Sequence, residues 1–360
     1  MNINIFDELF VLELSNNHWG SVERGLKLIT DYSKIVRFNN VRAAIKLQFR
    51  DVESFIHKDF KDRTDIRYIK KTMETQLSYD DYAVLVEAIK KSGCIAMSTP
   101  FDEESVAMCV NLGVQIIKIA SSDLNDWILI EEIAKTKKPV IVSTGGSSLK
   151  DIDDLVTFFE NRNIPLAINH CVSIYPSEKH ELELNQIDFL KSRYPNHTIG
   201  FSTHEYNNDI EQSMFIAYAK GARTFERHID MEWGEVTPAN YCSSPKHIDI
   251  WLKAFNKAKL LCGSSGTQKR AIPAKEQAYL DTLVRGVYAK SDLPQGHVLS
   301  DEDVYLAIPL QKGQISCREL MRGEILLKSC KKDEPVMVDS IDSPYAFNDD
   351  LKKLIYDRGL

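Results

Sequence analysis

Between residues 10 and 265 one theme recurs, a short β-branched apolar run that ends in polar residues and is followed by a longer segment of helical period. Eight runs can be read: "FVLELSNN", "AAIKLQF", "CIAMSTP", "IIKIASSD", "PVIVSTGG", "PLAINHCV", "TIGFSTH" and "ARTFERHI". The segments between them include "ERGLKLITDYSK", "DEESVAMCVNLG", "DWILIEEIAKT" and "DIEQSMFIAYAKG". Eight βα units in series predict an α/β chain folded as a (β/α)8 TIM barrel. A doubly wound sheet is the competitor, but it would open with a Gly-rich phosphate turn after its first strand, and "LSNNHWGS" is not GxGxxG. The polar stretch from Arg50 to Ser78 is too long for an ordinary connection and reads as an active-site loop after the second strand.

The barrel accounts for residues 1–263. Around Cys262 the chain turns Gly-, Ser- and charge-rich, so residues 264–283 read as a linker. Short strands broken by turn signals follow over 284–341, a small β-rich module, and residues 342–360 form a tail able to add a terminal helix.

Composition narrows the function. With 52 Asp and Glu against 45 Lys and Arg, and no basic stripe, nucleic acid is not an expected partner, although a local pocket of Lys and Ser can still bind phosphate. The start "MNINIFDELFVLEL" has no basic segment followed by an apolar run and a cleavage site, and no run approaches a membrane span, so the chain reads as cytoplasmic. Seven cysteines without a CxxC pair argue against a disulfide framework and against a zinc or iron-sulfur site.

In a parallel barrel the C-terminal strand ends converge on one face, which carries the active site. The run endings therefore nominate Glu13 and Asn17, Lys46 and Gln48, Ser98 and Thr99, then Lys118, Ser121 and Asp123. Ser143 and Thr144 follow, with Asn169, His170 and Ser173, Ser202 and His204, and Glu226, Arg227 and His228. Two lysines, an arginine and several hydroxyls on one rim form an anion cradle suited to a small phosphorylated acid. His204 and His228 end adjacent strands, and two neutral imidazoles with a few oxygen ligands suit Mn2+, Zn2+ or another divalent ion in an open catalytic site.

Taken in order, "LELSNNHWGS", "IKLQ", "STPFD", "KIASSD", "VSTGG", "HCVSIYP", "GFSTHE" and "FERHI", ahead of a β-rich module, resemble the sialic acid synthase family. The resemblance covers nearly the whole chain. It implies a TIM barrel followed by an antifreeze-like (SAF) domain, and a transferase that condenses phosphoenolpyruvate with an open-chain aldose, an N-acylmannosamine or a related sugar, to give a nonulosonic acid and phosphate. It places phosphoenolpyruvate against Lys46, Thr99, Lys118, Ser121, Ser143, Ser173 and Ser202, and the sugar near Glu13, Gln48, Asp123 and Tyr175. Glu13 and Asp123 become the candidates for orienting hydroxyls or moving a proton. His204 and His228 become ligands of a divalent ion, Mn2+ ahead of Mg2+ or Co2+. A domain-swapped homodimer is implied as well.

Three departures from the family's pattern concern the acceptor. Asp123 stands where a Glu is usual, "VTPANYC" brings Ala239 and Asn240 where an Asp is expected, and Ile308 stands for an Arg in the small module. An acceptor other than N-acetylmannosamine is expected. The alternatives are a phosphoenolpyruvate-dependent synthase of a shorter 2-keto sugar acid, and a barrel that binds carbohydrate without catalysis. A Schiff-base aldolase would want a lysine at a strand end, commonly the sixth, and "AINHCV" has none.

Overall fold

Each of the eight apolar runs is a strand in the computed structural model, which describes residues 4–264 and 266–360. The strands are β1 (Leu9–Ser15), β2 (Arg42–Phe49), β3 (Ile95–Pro100), β4 (Ile116–Ile119), β5 (Val140–Ser143), β6 (Leu166–Cys171), β7 (Thr198–Thr203) and β8 (Thr224–His228). They pair in parallel, in sequence order, and close when β1 meets β8 with Leu9 opposite Thr224 and Glu13 opposite His228.

The intervening helices are α1 (Val22–Phe38), α2 (Val52–Phe55), α3 (Arg67–Glu74), α4 (Tyr79–Lys91), α5 (Glu103–Asn111), α6 (Trp127–Lys135), α7 (Leu149–Glu160), α8 (Gln186–Arg193), α9 (Ile210–Lys220) and α10 (Pro245–Cys262). Their starts are chemically marked. Ser78 with Asp81 and Ser148 with Asp151 form capping boxes that satisfy orphan N–H groups, and Ser244 caps α10 ahead of Pro245. The stretch from Arg50 to Ser78, expected as a loop, folds locally into α2, a 3-10 turn at Lys58–Phe60 and α3.

Alternation along the strands decides what faces where. Val11, Ala44, Met97, Ile116, Ile141 and Ala167 fill the barrel interior together with Phe6 and Leu9. The residues one position over, such as Phe10, Ile45, Ile117, Val142, Ile168, Phe201 and Phe225, pack outward against the helices. At the closing seam Phe10 meets Phe225, Phe255 and the fully buried Trp251 at ring distances of 5.4, 4.9 and 5.1 Å, which ties β1 and β8 to α10. Gly200 is required inside the barrel. A Cβ there would lie 1.8 Å from Thr224 Oγ1 and 2.1 Å from Asn169 Oδ1, atoms that hydrogen-bond to each other across the glycine at 2.5 Å.

The chain divides after Gly263, and Ser264–Leu360 is a second compact unit. The segment read as a linker contains a helix, α11 (Ala274–Asp281), because "AKEQAYLD" is a run of helix formers behind Pro273. Beyond it β9 (Gly286–Ala289) pairs antiparallel with β10 (Val304–Ala307), and β11 (Ile325–Leu326) with β12 (Ile341–Asp342). Val287, Leu293, Leu299, Ile315, Val336 and Ile341 form its own core, and the tail adds α12 (Pro344–Phe347) and α13 (Asp349–Tyr356). Among the described residues no helix is long and apolar enough to cross a membrane.

Candidate active site

Above the apolar plug the inward positions turn polar, and their side chains form a continuous row. Glu13 Oε2 lies 2.6 Å from Lys46 Nζ, and Lys46 Nζ lies 3.0 Å from Glu226 Oε1. Glu226 Oε2 stands 3.6 Å from Lys118 Nζ, which donates to Ser143 Oγ at 2.7 Å. Lys46 Nζ also donates to Thr99 Oγ1 at 3.1 Å, and Gln48 Nε2 to Glu13 Oε1 at 2.9 Å. Two carboxylates and two ammonium groups thus alternate inside a barrel where all four are nearly shut off from solvent.

Burial sets the charge states. It opposes the charge on Lys46, but Glu13 and Glu226 outweigh it and raise the ammonium above its usual range. Lys118 moves the other way, because burial exceeds the pull of Glu226. Glu226 is held below the ordinary carboxylate range, burial being overcome by Lys118 and Lys46. Glu13 is pushed up by burial against the pull of Lys46, with Glu226 adding like-charge repulsion. Two carboxyls in one site are therefore pushed apart, the pattern that separates a proton carrier from a fixed anion.

A second group gathers at the ends of β4, β5 and β6. Ser121 Oγ accepts from the Gly145 N–H at 3.0 Å, and a Cβ on Gly145 would stand 2.2 Å from Ser173 Oγ and 2.9 Å from Ser121 Oγ. The missing side chain lets two hydroxyls and a backbone N–H converge beside the Lys118–Ser143 pair. Ser202 is buried and inward-facing on β7, opposite Glu226.

The third group is aromatic. The His204 and His228 rings are 5.3 Å apart, with Tyr175 4.0 Å from His204 and Tyr241 5.2 Å from His228. Burial lowers His204 to about 4 and holds His228 well below its ordinary value, so both are neutral near pH 7. His204 Nδ1 sits 2.9 Å from the Val172 carbonyl, which fixes the N–H there and leaves Nε2 with a free lone pair. This donor set fits a divalent ion in part. Among the described residues no cluster of three His, Cys, Asp or Glu is arranged to hold a metal, so a bound ion would complete its shell with water or substrate oxygens.

Asp123 sits on the 3-10 turn Ser121–Asp123 after β4, its Oδ2 buried without a hydrogen-bond partner and its carboxyl raised by burial. Three other strand-end residues leave the pocket because they fall on the outward parity. Ser98 donates to the Leu47 carbonyl at 3.1 Å, His170 contacts the Leu182 carbonyl at 2.7 Å, and Arg227 is tied to Glu205. Sequence reasoning ranked Glu226 no higher than its neighbours, yet it links both lysines. Its signal was parity, since it lies two residues before His228. Tyr241, in "VTPANYC", carried no periodic signal and was missed.

The chain is similar to known proteins over most of its length. A spore coat polysaccharide biosynthesis protein E of Chromobacterium violaceum superposes with a TM-score of 0.89 at 36% identity, covering 93% of this chain and 99% of that one. The pseudaminic acid synthase of Campylobacter jejuni is 27% identical over 92% of this chain and 95% of its own length. The N-acetylneuraminate-9-phosphate synthase of Drosophila melanogaster is 27% identical over 81% of this chain and 78% of its own. The NeuB family matches residues 39–264, well over half of the sequence and the barrel from β2 onward. The protein belongs to the NeuB family.

Proposed function

We propose that this chain condenses phosphoenolpyruvate with an open-chain aldose to give a 3-deoxy-2-keto sugar acid of the nonulosonate type, with release of phosphate. The observation that carries the reading is the buried row Glu13–Lys46–Glu226–Lys118–Ser143 beside the Ser121–Gly145–Ser173 cradle. C3 of phosphoenolpyruvate forms a bond to the aldehyde carbon, water adds at C2, and the C2–O bond to phosphate breaks.

Lys118, Ser143, Ser121 and Ser173 hold the anionic groups, assisted by Lys46, Thr99 and Ser202, so that the reacting carbons meet in near-attack geometry. Gln48 and Asp123 orient sugar hydroxyls, Tyr175 covers the pocket, and Glu13 holds or moves a proton at the acceptor. His204 and His228 would hold a divalent ion, Mn2+ in the first instance, which would supply Lewis-acid chemistry at the acceptor's carbonyl group. Residues 284–341 are read as an antifreeze-like (SAF) domain, and the assembly as a homodimer, to be checked by light scattering.

The test is incubation with phosphoenolpyruvate, Mn2+ and a panel of aldoses, scored by phosphate release and product mass. A product heavier than the aldose by the pyruvate unit is expected. Absence of phosphate release with every aldose would overturn the reading.

A further inference from the structure

The two fully buried arginines of the barrel each own a carboxylate. Arg24 Nη2 lies 2.6 Å from Asp230 and Arg227 Nη1 lies 3.3 Å from Glu205. Arg50, at the exit of β2, is different. Its guanidinium lies 3.7 Å from the centre of the Phe101 ring and 5.6 Å from that of Phe55, and Nη1 donates to Gln48 Oε1 at 3.1 Å. Its Nε is buried without a hydrogen-bond partner.

The segment that follows adds two more such cations. Arg67 and Lys71 stand one turn apart on α3, a helix with no acidic residue in its first turn and no side-chain cap. Like charges at that spacing repel, and basic residues near a helix N-terminus oppose its dipole. Other cations of the same stretch are paired, Lys61 with Glu53, Arg63 with Asp65 and Lys70 with Glu74. Among the described residues no carboxylate pairs with Arg50, Arg67 or Lys71. Burial depresses Lys71, with Arg67 and Arg50 adding to the effect and Cys242 and Asp230 opposing it, so Lys71 lies within electrostatic reach of both arginines. Asp123 and Glu13 act on Arg50 only from beyond ion-pair distance, and a desolvated guanidinium so weakly compensated is unfavourable in the resting protein, with aromatic stacking offsetting only part of that cost.

The Ser121–Gly145–Ser173 cradle and Lys118 belong to β4–β6, whereas Arg50 follows β2 and touches Gln48, on the side assigned to the sugar. We propose that Arg50, supported by Lys71 and Arg67, receives an anionic group on the acceptor sugar, a phosphate monoester or a carboxylate remote from the aldehyde. This rests on the condensation proposed above. Gln48 would then join recognition to chemistry, since it accepts from Arg50 with Oε1 and donates to Glu13 with Nε2.

The experiment compares three acceptors at fixed phosphoenolpyruvate and Mn2+: N-acetylmannosamine, its 6-phosphate and the corresponding uronic acid. Wild-type protein is expected to favour one anionic acceptor over the neutral sugar by tenfold or more in kcat/KM, and the favoured one identifies the group. In Arg50→Met that preference should fall by about one to two decades, the range for a lost charge-assisted hydrogen bond, while Arg50→Lys retains part of it. No anionic preference in the wild type, or one unchanged in Arg50→Met, would overturn the inference. If none of the three sugars releases phosphate, the two readings separate by calorimetry with the sugar phosphate and the uronic acid alone. Binding that is lost in Arg50→Met upholds the anion site even though the reaction is wrong, and failure of both to bind the wild type removes it.

Discussion

Lys118 differs from Lys46 in a way that sets its expected role. Lys46 is clamped between two carboxylates, whereas Lys118 has one at 3.6 Å and a serine hydroxyl at 2.7 Å, so it is the freer cation for an incoming anion. Lys118→Met should weaken phosphoenolpyruvate by about one to two decades, the equivalent of roughly 1.5 to 3 kcal/mol, and the sugar by less. Calorimetry with phosphoenolpyruvate alone decides it, and an unchanged affinity would remove Lys118 from the cradle. At this scale the sequence was informative wherever strand parity applied. Glu13, Lys46, Thr99, Lys118, Ser143, Ser202, His204 and His228 all follow from counting in twos from the apolar plug. Ser98, His170 and Arg227 are excluded by the same count. Tyr241 and Arg50 escaped because they lie beyond strand ends, where no period says which way a side chain turns.

Elements are held in place by buried polar ties that periodicity does not reveal. Arg227 joins the ends of β7 and β8 to the segment before α10. Its Nη2 donates to the Glu205 carbonyl at 2.9 Å and to Asn207 Oδ1 at 3.0 Å, and its Nε to Ser243 Oγ. Ser243 in turn donates its N–H to the His228 carbonyl at 2.8 Å. Glu205 follows His204 and Arg227 precedes His228, so one ion pair spans both imidazole-bearing strand ends. Arg227→Met should destabilise the barrel by about 3 to 5 kcal/mol, because it strands a buried carboxylate, and adding Glu205→Gln should recover part of that loss. Urea unfolding of the single and double variants measures it, and simple additivity would rule out the coupling. Strands and most helices were legible from period and caps. The helical content of residues 50–78 was not, since short helices in a polar segment leave too few turns to show a pattern.

For the whole molecule, acid is the expected weakness. His18 is fully buried after β1, its Nδ1 accepts from the Gly20 N–H at 3.2 Å, and its Nε2 has no partner. Burial, with Arg24 adding repulsion, lowers it to about 4. Its folded pKa lies below the unfolded value, so the unfolded chain takes up the proton first as pH falls. The contribution is complete above about pH 6.5 and is lost as pH drops towards 4. Linkage gives about 2 kcal/mol between pH 7 and pH 5 for this one imidazole. His18→Gln should reduce the pH slope of stability by up to one proton in that interval, and a slope unchanged from wild type would assign acid sensitivity elsewhere. Two units with separate cores also mean that thermal and urea transitions need not coincide, so the slope is best read from a probe in the barrel, such as the buried Trp251.

The alternating row inside the barrel has one more consequence. Two carboxylates and two ammonium groups leave the row itself electrically even, so an arriving trianion finds no surplus positive charge within it. A divalent cation between the two imidazoles would meet the mirror-image problem. Each guest would supply what the other lacks, and thermodynamic reciprocity requires that whatever factor phosphoenolpyruvate gained from Mn2+, Mn2+ would gain from phosphoenolpyruvate. Equilibrium titrations in both orders should return that common factor, well above one, and independent binding of the two would show that the charges of the row rearrange instead.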